Sequence, residues 1–183
     1  MGENYILQIM IQVNQNIFLS PLKMSDAFVI NEYMGDKEIS ENTLVIPFPY
    51  SLSDANTWLE DNLIEEEETG VRKNYAIRNK EGLLMGVIGA HFNYGQQSDK
   101  SEFGYWLAKQ FWNKGIMTVV IDTFCELMKE KHNLKTLEAH VFDFNPTSMH
   151  ILTKNGFIRT EGKVNRTKRD GREVSAIRFY KLL

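Results

Sequence analysis

Lys114 and Gly115 occupy a short turn, Gln110-Phe111-Trp112-Asn113-Lys114-Gly115-Ile116-Met117-Thr118, between a strand-like pattern and a helix-like one. The first N–H groups of a helix have no intrahelical partner, and the macrodipole places partial positive charge beside them. Such an end suits an anion. Gly115 admits a close ligand or an unusual backbone angle, and Lys114 supplies a charge suited to phosphate. A plain turn before an amphipathic helix uses the same residues. Glu102 is the second residue that asks for a reason, because glutamate is depleted in strands and this one begins a strand-like run just before the turn. An ion pair or a guarded sheet edge accounts for it structurally.

The elements that position these residues follow from periodicity. Ser101 to Ala108 alternates, with Phe103, Tyr105 and Leu107 on one face and Glu102, Gly104 and Trp106 on the other. Met117, Val120, Ile121, Phe124, Leu127 and Met128 recur at helical spacing until Asn133 offers a stop. Ile17 to Leu22 reads as a first strand, and Ser25-Asp26 as a cap for a helix carrying Ala27, Ile30, Tyr33 and Met34. Ser40 to Tyr50, with Pro47 and Pro49, reads as a loop. Ser53 or Asp54 is expected to cap a helix holding Trp58, Leu59, Leu63 and Ile64, ending in the solvated run Glu65 to Glu68. Asn74 to Arg78 and Leu83 to Asn93 form a hairpin, and Tyr94 to Lys100 a polar turn. Beyond the central helix come a strand at Thr136 to Phe142 and a short helix opened by Asn145-Pro146-Thr147-Ser148. A strand from Phe157 follows, then the Asp170-Gly171 hairpin and a strand from Val174 to Leu183. One strand–helix–strand unit inside a mostly antiparallel sheet makes the expected class α+β (mixed α/β).

The whole chain limits the function classes. Its 183 residues fit one domain, and no linker or repeat divides them. A net charge of −3 argues against general nucleic-acid binding. Cys125 is the only cysteine, so no internal disulfide forms, which fits a reducing compartment; it reads as a small buried hydrophobe. No apolar run reaches membrane-spanning length, Ile6 stands where a myristoylation site needs Ser or Thr, and a cytoplasmic location is expected. His91, His132, His140 and His150 lack metal-ligand spacing, so no metal is expected. Arg159, Lys163, Arg166, Lys168, Arg169 and Arg172 read as a solvated hairpin.

In order and spacing, several stretches together resemble the GNAT superfamily, and within it the Rim-type ribosomal-protein N-terminal acetyltransferases. They are Ile17-Phe18-Leu19-Ser20-Pro21-Leu22, Glu102-Phe103-Gly104-Tyr105-Trp106-Leu107, Trp112 to Thr118, Asn145 with Ser148, Lys154-Asn155-Gly156-Phe157 and Asp170-Gly171. The resemblance implies a central, mostly antiparallel twisted sheet with a splayed strand pair and flanking helices. It implies acetyl-CoA as cosubstrate, its pyrophosphate held by backbone N–H groups of Trp112, Asn113, Lys114, Gly115, Ile116, Met117 and Thr118. Its pantetheine and acetyl carbonyl would lie along the backbone of Trp106 and Leu107, with Asn145 touching the pantetheine. The sequence departs from the pattern at Trp112 and Met117, at Asn113 where glycine is common, and at Leu152 where many members carry a tyrosine general acid.

Amide formation from a thioester needs a neutral amine, donors for the developing oxyanion and a proton for the thiolate. The resemblance implies Glu102 as base, acting through water, and Ser148 as proton donor; Ser148 equally fits an ordinary helix-start residue. An α-amine has a pKa of about 7.7–8.0 against about 10.4 for lysine, so freeing lysine costs roughly 3–4 kcal/mol more at neutral pH. The favoured acceptor is therefore a protein N-terminus, with Ser40 to Tyr50 shaping its pocket. A small amine such as a polyamine or antibiotic, and a non-catalytic coenzyme-binding module, are the alternatives, and a homodimer is left open.

Overall fold

The computed structural model describes residues 10–91 and 99–183. The readings of the N-terminal segment before residue 10, of the strand beyond His91 and of most of the turn at Tyr94 to Lys100 lie outside the described residues.

Among the described residues nine strands form one sheet: β1 (Ile11–Gln12), β2 (Ile17–Ser20), β3 (Asn74–Asn79), β4 (Leu84–His91), β5 (Lys100–Leu107), β6 (Thr136–Phe142), β7 (Ile158–Arg159), β8 (Val164–Thr167) and β9 (Glu173–Leu182). Their order is β1-β2-β3-β4-β5-β6-β9-β7, with β8 also on β9. The pairings are antiparallel except β5 with β6. The helices are α1 (Ala27–Met34), α2 (Lys37–Glu41), α3 (Leu52–Thr69), α4 (Ile116–His132) and α5 (Pro146–Lys154). A mixed α/β fold with a mostly antiparallel sheet is thus what forms.

Alternation in the strands divides the core in two. On one face Phe103, Leu107, Leu137, Val141 and Phe179 pack with Val120, Ile121, Phe124 and Met128 of α4 and Leu152 of α5. On the other, Ala76, Leu84 and Val87 meet Ile30 and Met34 of α1 and Ala55 and Leu59 of α3. Burying each large apolar side chain contributes about 1.5–3 kcal/mol, which is why the pattern survives into the fold.

Local details depart from the sequence reading for identifiable reasons. Asp26 makes no side-chain cap for α1; its carboxylate accepts the Lys23 N–H at 2.9 Å and the buried Arg78 guanidinium at 2.7 Å. Ser51, rather than Ser53 or Asp54, caps α3, and Asp54 completes a reciprocal capping box three residues on. The helix α2 and the short strand β1 are too brief for periodicity to reveal. The strand expected from Phe157 to Lys163 splits into β7 and β8, both on β9.

At the middle of the sheet Gly86 lies against β5 so closely that an added Cβ would come within 2.2 Å of the Trp106 carbonyl oxygen. Neither backbone can yield without breaking the ladder. Gly86→Ala is therefore expected to lower unfolding stability by about 2 kcal/mol, as overpacked cores do, measured by urea titration; unchanged stability would show that β5 moves freely at Trp106.

Candidate active site

The ladder between β5 and β6 is short. Lys100, Ser101 and Glu102 lie opposite Thr136, Leu137 and Glu138, and no further pairs follow, although β5 pairs with β4 through Leu107 and β6 with β9 through Phe142. The two strands therefore diverge beyond Glu102. Ala108 N–H donates to the Met85 carbonyl at 2.9 Å, and the Trp106 carbonyl lies against Gly86. Because backbone direction alternates along a strand, Tyr105 and Leu107 aim their backbone groups into the gap, and Trp106 aims its own at β4. Trp106 thus meets the cleft through its indole, correcting the expectation of a free Trp106 backbone. The Leu107 carbonyl accepts the Trp112 indole N–H at 2.8 Å.

The turn before α4 is built on two left-handed residues. Asn113 and Gly115 both take left-handed backbone angles, φ 59° and 71°, and Gly115 is the N-cap of α4 with no side-chain cap. Asparagine is among the few residues that tolerate this region, so Asn113 does what glycine would do there. Lys114 is exposed, its Nζ 5.7 Å from the Phe111 ring centre. Ile116 and Met117 turn their side chains into the core and Thr118 is half-buried, so Met117 can meet a ligand only through its backbone. The Trp112 ring packs between the two halves of the core and props the end of β5.

Asn145 caps α5, its side-chain oxygen accepting the Ser148 N–H at 3.0 Å. Its amide N–H groups remain as donors. The Ser148 hydroxyl is 2.7 Å from the Tyr105 hydroxyl. Burial pushes the Tyr105 phenol up to about 12, with the Ser148 hydrogen bond pulling the other way, so the phenol stays protonated and can orient the serine. Leu152 is fully buried in the core, which ends any acid role there. Tyr105 was legible only as a core-facing residue, yet a buried phenol needs a polar partner, and that requirement was the available signal.

Glu102 is half-buried beside two side chains that the sequence reading left as surface or core groups. The Glu102 carboxylate lies 3.1 Å from His140 Nδ1 and 3.1 Å from Arg166 Nη2. Arg166 reaches it from β8, so the basic hairpin is not wholly solvated. Burial works to raise the Glu102 pKa, but the His140 hydrogen bond and the charges of His140, Arg166 and His91 outweigh it and hold it below the usual carboxylate range. The ion pair and a place facing the cleft therefore coexist at one residue. Cys125 is buried and its thiol is pushed up to about 11, chiefly by burial, which suits an inert core residue.

These parts open onto one cleft of about 1100 Å³ that runs from the α4 turn, along Tyr105 to Leu107 and past Asn145 and Ser148, to Glu102. Beyond Glu102 it is walled by Trp58, Tyr50 and the loop after α2. Lys168 is buried against that loop, donating to the carbonyls of Ser40 at 2.8 Å and Glu41 at 3.1 Å. Among the described residues no cluster of His, Cys, Asp and Glu has a metal-binding arrangement, and no helix is long and apolar enough to cross a membrane.

A parallel pair that diverges just before a helix start with left-handed residues is the form that the family resemblance leads one to expect. The Acetyltransferase (GNAT) domain profile matches residues 16–158, and the chain belongs to the GNAT acetyltransferase family. YdaF of Bacillus subtilis (strain 168), whose name proposes a ribosomal N-acetyltransferase, is 33% identical over 107 residues, 56% of this chain and 55% of that protein. The chain thus aligns with little more than half of that relative. The structure of the microcin C7 self-immunity acetyltransferase MccE with acetyl-CoA and AMP is similar at TM-score 0.79 and 21% identity, covering 94% of this chain and 96% of that one. The RimL ribosomal L7/L12 alpha-N-protein acetyltransferase with coenzyme A is similar at TM-score 0.81 and 15% identity, covering 96% and 98%. At these identities the likeness is one of fold.

The ion pair sets a pH dependence. Glu102's lowered pKa means its cluster contributes stability that is complete above the ordinary carboxylate value and is lost as pH falls through the folded value. Arg166→Met removes one of the opposing charges and leaves the burial. The Glu102 titration, followed by carbon NMR of the carboxylate, is expected to move upward; an unmoved titration would mean that Arg166 does not hold the charge.

Proposed function

We propose that the chain transfers the acetyl group of acetyl-CoA to a primary amine, and that its acceptor is the α-amine of a protein N-terminus. The observation that carries this reading is the divergence of β5 from β6 directly beside the anion cradle of α4, both opening on one cleft. Coenzyme pyrophosphate fits the backbone of Asn113 to Thr118, where two left-handed residues and an uncapped helix start form a concave surface of N–H groups. Pantetheine fits the unpaired edge of β5, with Leu107 and Tyr105 supplying backbone groups and Asn145 its side-chain amide. The coenzyme in the MccE and RimL structures supports acetyl-CoA as the donor, and the names of YdaF and RimL support a ribosomal-protein acceptor.

In this arrangement the acceptor nitrogen attacks the thioester carbon, and the carbonyl oxygen gains negative charge against an N–H of the β5 edge. The proton lost by nitrogen passes to a water held by Glu102 and on to solvent. A carboxylate held below its usual pKa is a weak base, so Glu102 orients the water and balances the ammonium charge rather than drawing a proton from an unfavourable donor. That task suits an α-amine, a substantial fraction of which is neutral near pH 7.5, better than a lysine. As the carbon–sulfur bond breaks, Ser148 gives its hydrogen bond to the thiolate, held in orientation by Tyr105 at 2.7 Å.

Thiol release from acetyl-CoA in the presence of Ala- or Ser-initiated peptides tests the reading, and silence across both peptides and small amines would refute it. Glu102→Gln is expected to lower kcat/KM by roughly 10- to 100-fold, what the loss of a charge-assisted hydrogen bond to the positioned water amounts to, with coenzyme affinity within about twofold of the parent. Tyr105→Phe and Ser148→Ala are expected to be non-additive, the double variant losing less than the product of the two, because the hydroxyls act as one hydrogen-bonded unit; independent losses would separate Tyr105 from the leaving-group step.

A further inference from the structure

On the acceptor side of the cleft the charges lining the wall have different degrees of freedom. Glu38 is paired with Lys109 at 2.6 Å. Asp54 is engaged by Ser51, whose hydroxyl donates to it at 2.6 Å and whose N–H donates to it at 2.9 Å. Glu102 is held by Arg166 and His140. Arg169 also lines the cleft, is exposed, and among the described residues its guanidinium makes neither a salt bridge nor a side-chain hydrogen bond. Its charge acts on the Asp54 carboxylate and on the Tyr50 phenol, and it forms a salt bridge or side-chain hydrogen bond with neither.

The backbone that carries Arg169 is fixed on both sides. Its own N–H donates to the Leu44 carbonyl at 3.1 Å. The preceding Lys168 is buried on the Ser40 and Glu41 carbonyls, and Arg172 meets the Glu41 carboxylate with two contacts of 3.2 Å. A guanidinium with five donors, on an anchored backbone, is thus presented to the acceptor space without an internal partner. Arg169 lies three positions beyond Arg166, which touches Glu102, so the two backbones are at most roughly 10 Å apart. An extended peptide rises about 3.3 Å per residue. With its α-amine near Glu102, its second to fourth residues come within reach of Arg169.

We propose that Arg169 recognises a carboxylate on the acceptor and makes the enzyme selective for amines that carry an acidic group a few residues from the reacting nitrogen. This rests on the acetyltransferase reading above and names the acceptor class of that same site. The planar guanidinium pairs with a carboxylate in the two-bond geometry that lysine lacks. An exposed pair of this kind with charge-assisted hydrogen bonds is expected to give a three- to tenfold preference.

The test compares kcat/KM for Ala-initiated peptides that differ only in carrying Asp, Asn or Lys at the second to fourth positions, with free aspartate as a small acidic amine. The parent is expected to favour the Asp peptides three- to tenfold over Asn, and the ratio is expected to shrink as salt is raised. Arg169→Met should bring the Asp-to-Asn ratio near one, and Arg169→Glu should turn preference toward the Lys peptides. Thermal melts confirm folding of both variants. Transfer to free aspartate with the same dependence on Arg169 supports the carboxylate site and identifies a small acid as its source. Equal rates for Asp and Asn peptides in the parent, or a preference that survives Arg169→Met, would overturn the proposal while leaving the transferase reading intact; no transfer to any amine would overturn both.

Discussion

Between β5 and β6 the backbone ladder runs for three residue pairs and then stops, and everything at the site depends on that interruption. An unpaired strand edge inside a protein carries backbone groups that must be satisfied by something other than sheet. Here the edge is stabilised on its other side by a full ladder to β4, so it keeps strand geometry while its inner groups face a cleft. The Leu107 carbonyl accepts from the Trp112 indole, and the Tyr105 and Leu107 N–H groups face the cleft. The rigidity of β4, seated on Gly86, converts a missing ladder into a fixed row of hydrogen-bonding positions.

The same divergence brings the chemistry together. Residues before it, at Glu102, meet His140 and Arg166; residues after it, at Tyr105, meet Ser148 on α5. One strand thus contributes to both ends of the proposed proton path. Its alternation sends Glu102 toward the acceptor side and Tyr105 toward the α4–α5 side, so the two functions stay apart across the sheet. The turn before α4 follows directly from the end of β5, so the proposed pyrophosphate site lies one short turn from the proposed acetyl site.

The hairpin of β8 and β9 closes the arrangement from the opposite end of the chain. Arg166 reaches Glu102, Lys168 is buried on the end of α2, and Arg169 remains open to the cleft. Burial lowers the Lys168 pKa while the Glu41 charge supports its protonated form. Two carbonyl acceptors satisfy that buried ammonium, and the loop after α2 is tied to the hairpin as a result.

The sequence by itself determined whatever depends on neighbours along the chain. The 3.6 spacing from Met117 to Met128 and its stop at Asn133, the alternation of β5, the Asn145 cap and the Gly171 hairpin were legible because local backbone preference and one-sided burial produce them. The left-handed turn at Gly115 was legible for the same reason. Partnerships across the sheet were not. Glu102 and Arg166 are 64 residues apart, and nothing in either stretch distinguishes a paired arginine from a solvated one. Tyr105 and Ser148 are 43 residues apart, and Lys168 and Ser40 are 128 apart. Only the tertiary structure decided which charges are paired and which remain free, because that depends on distances set by packing rather than by order in the chain.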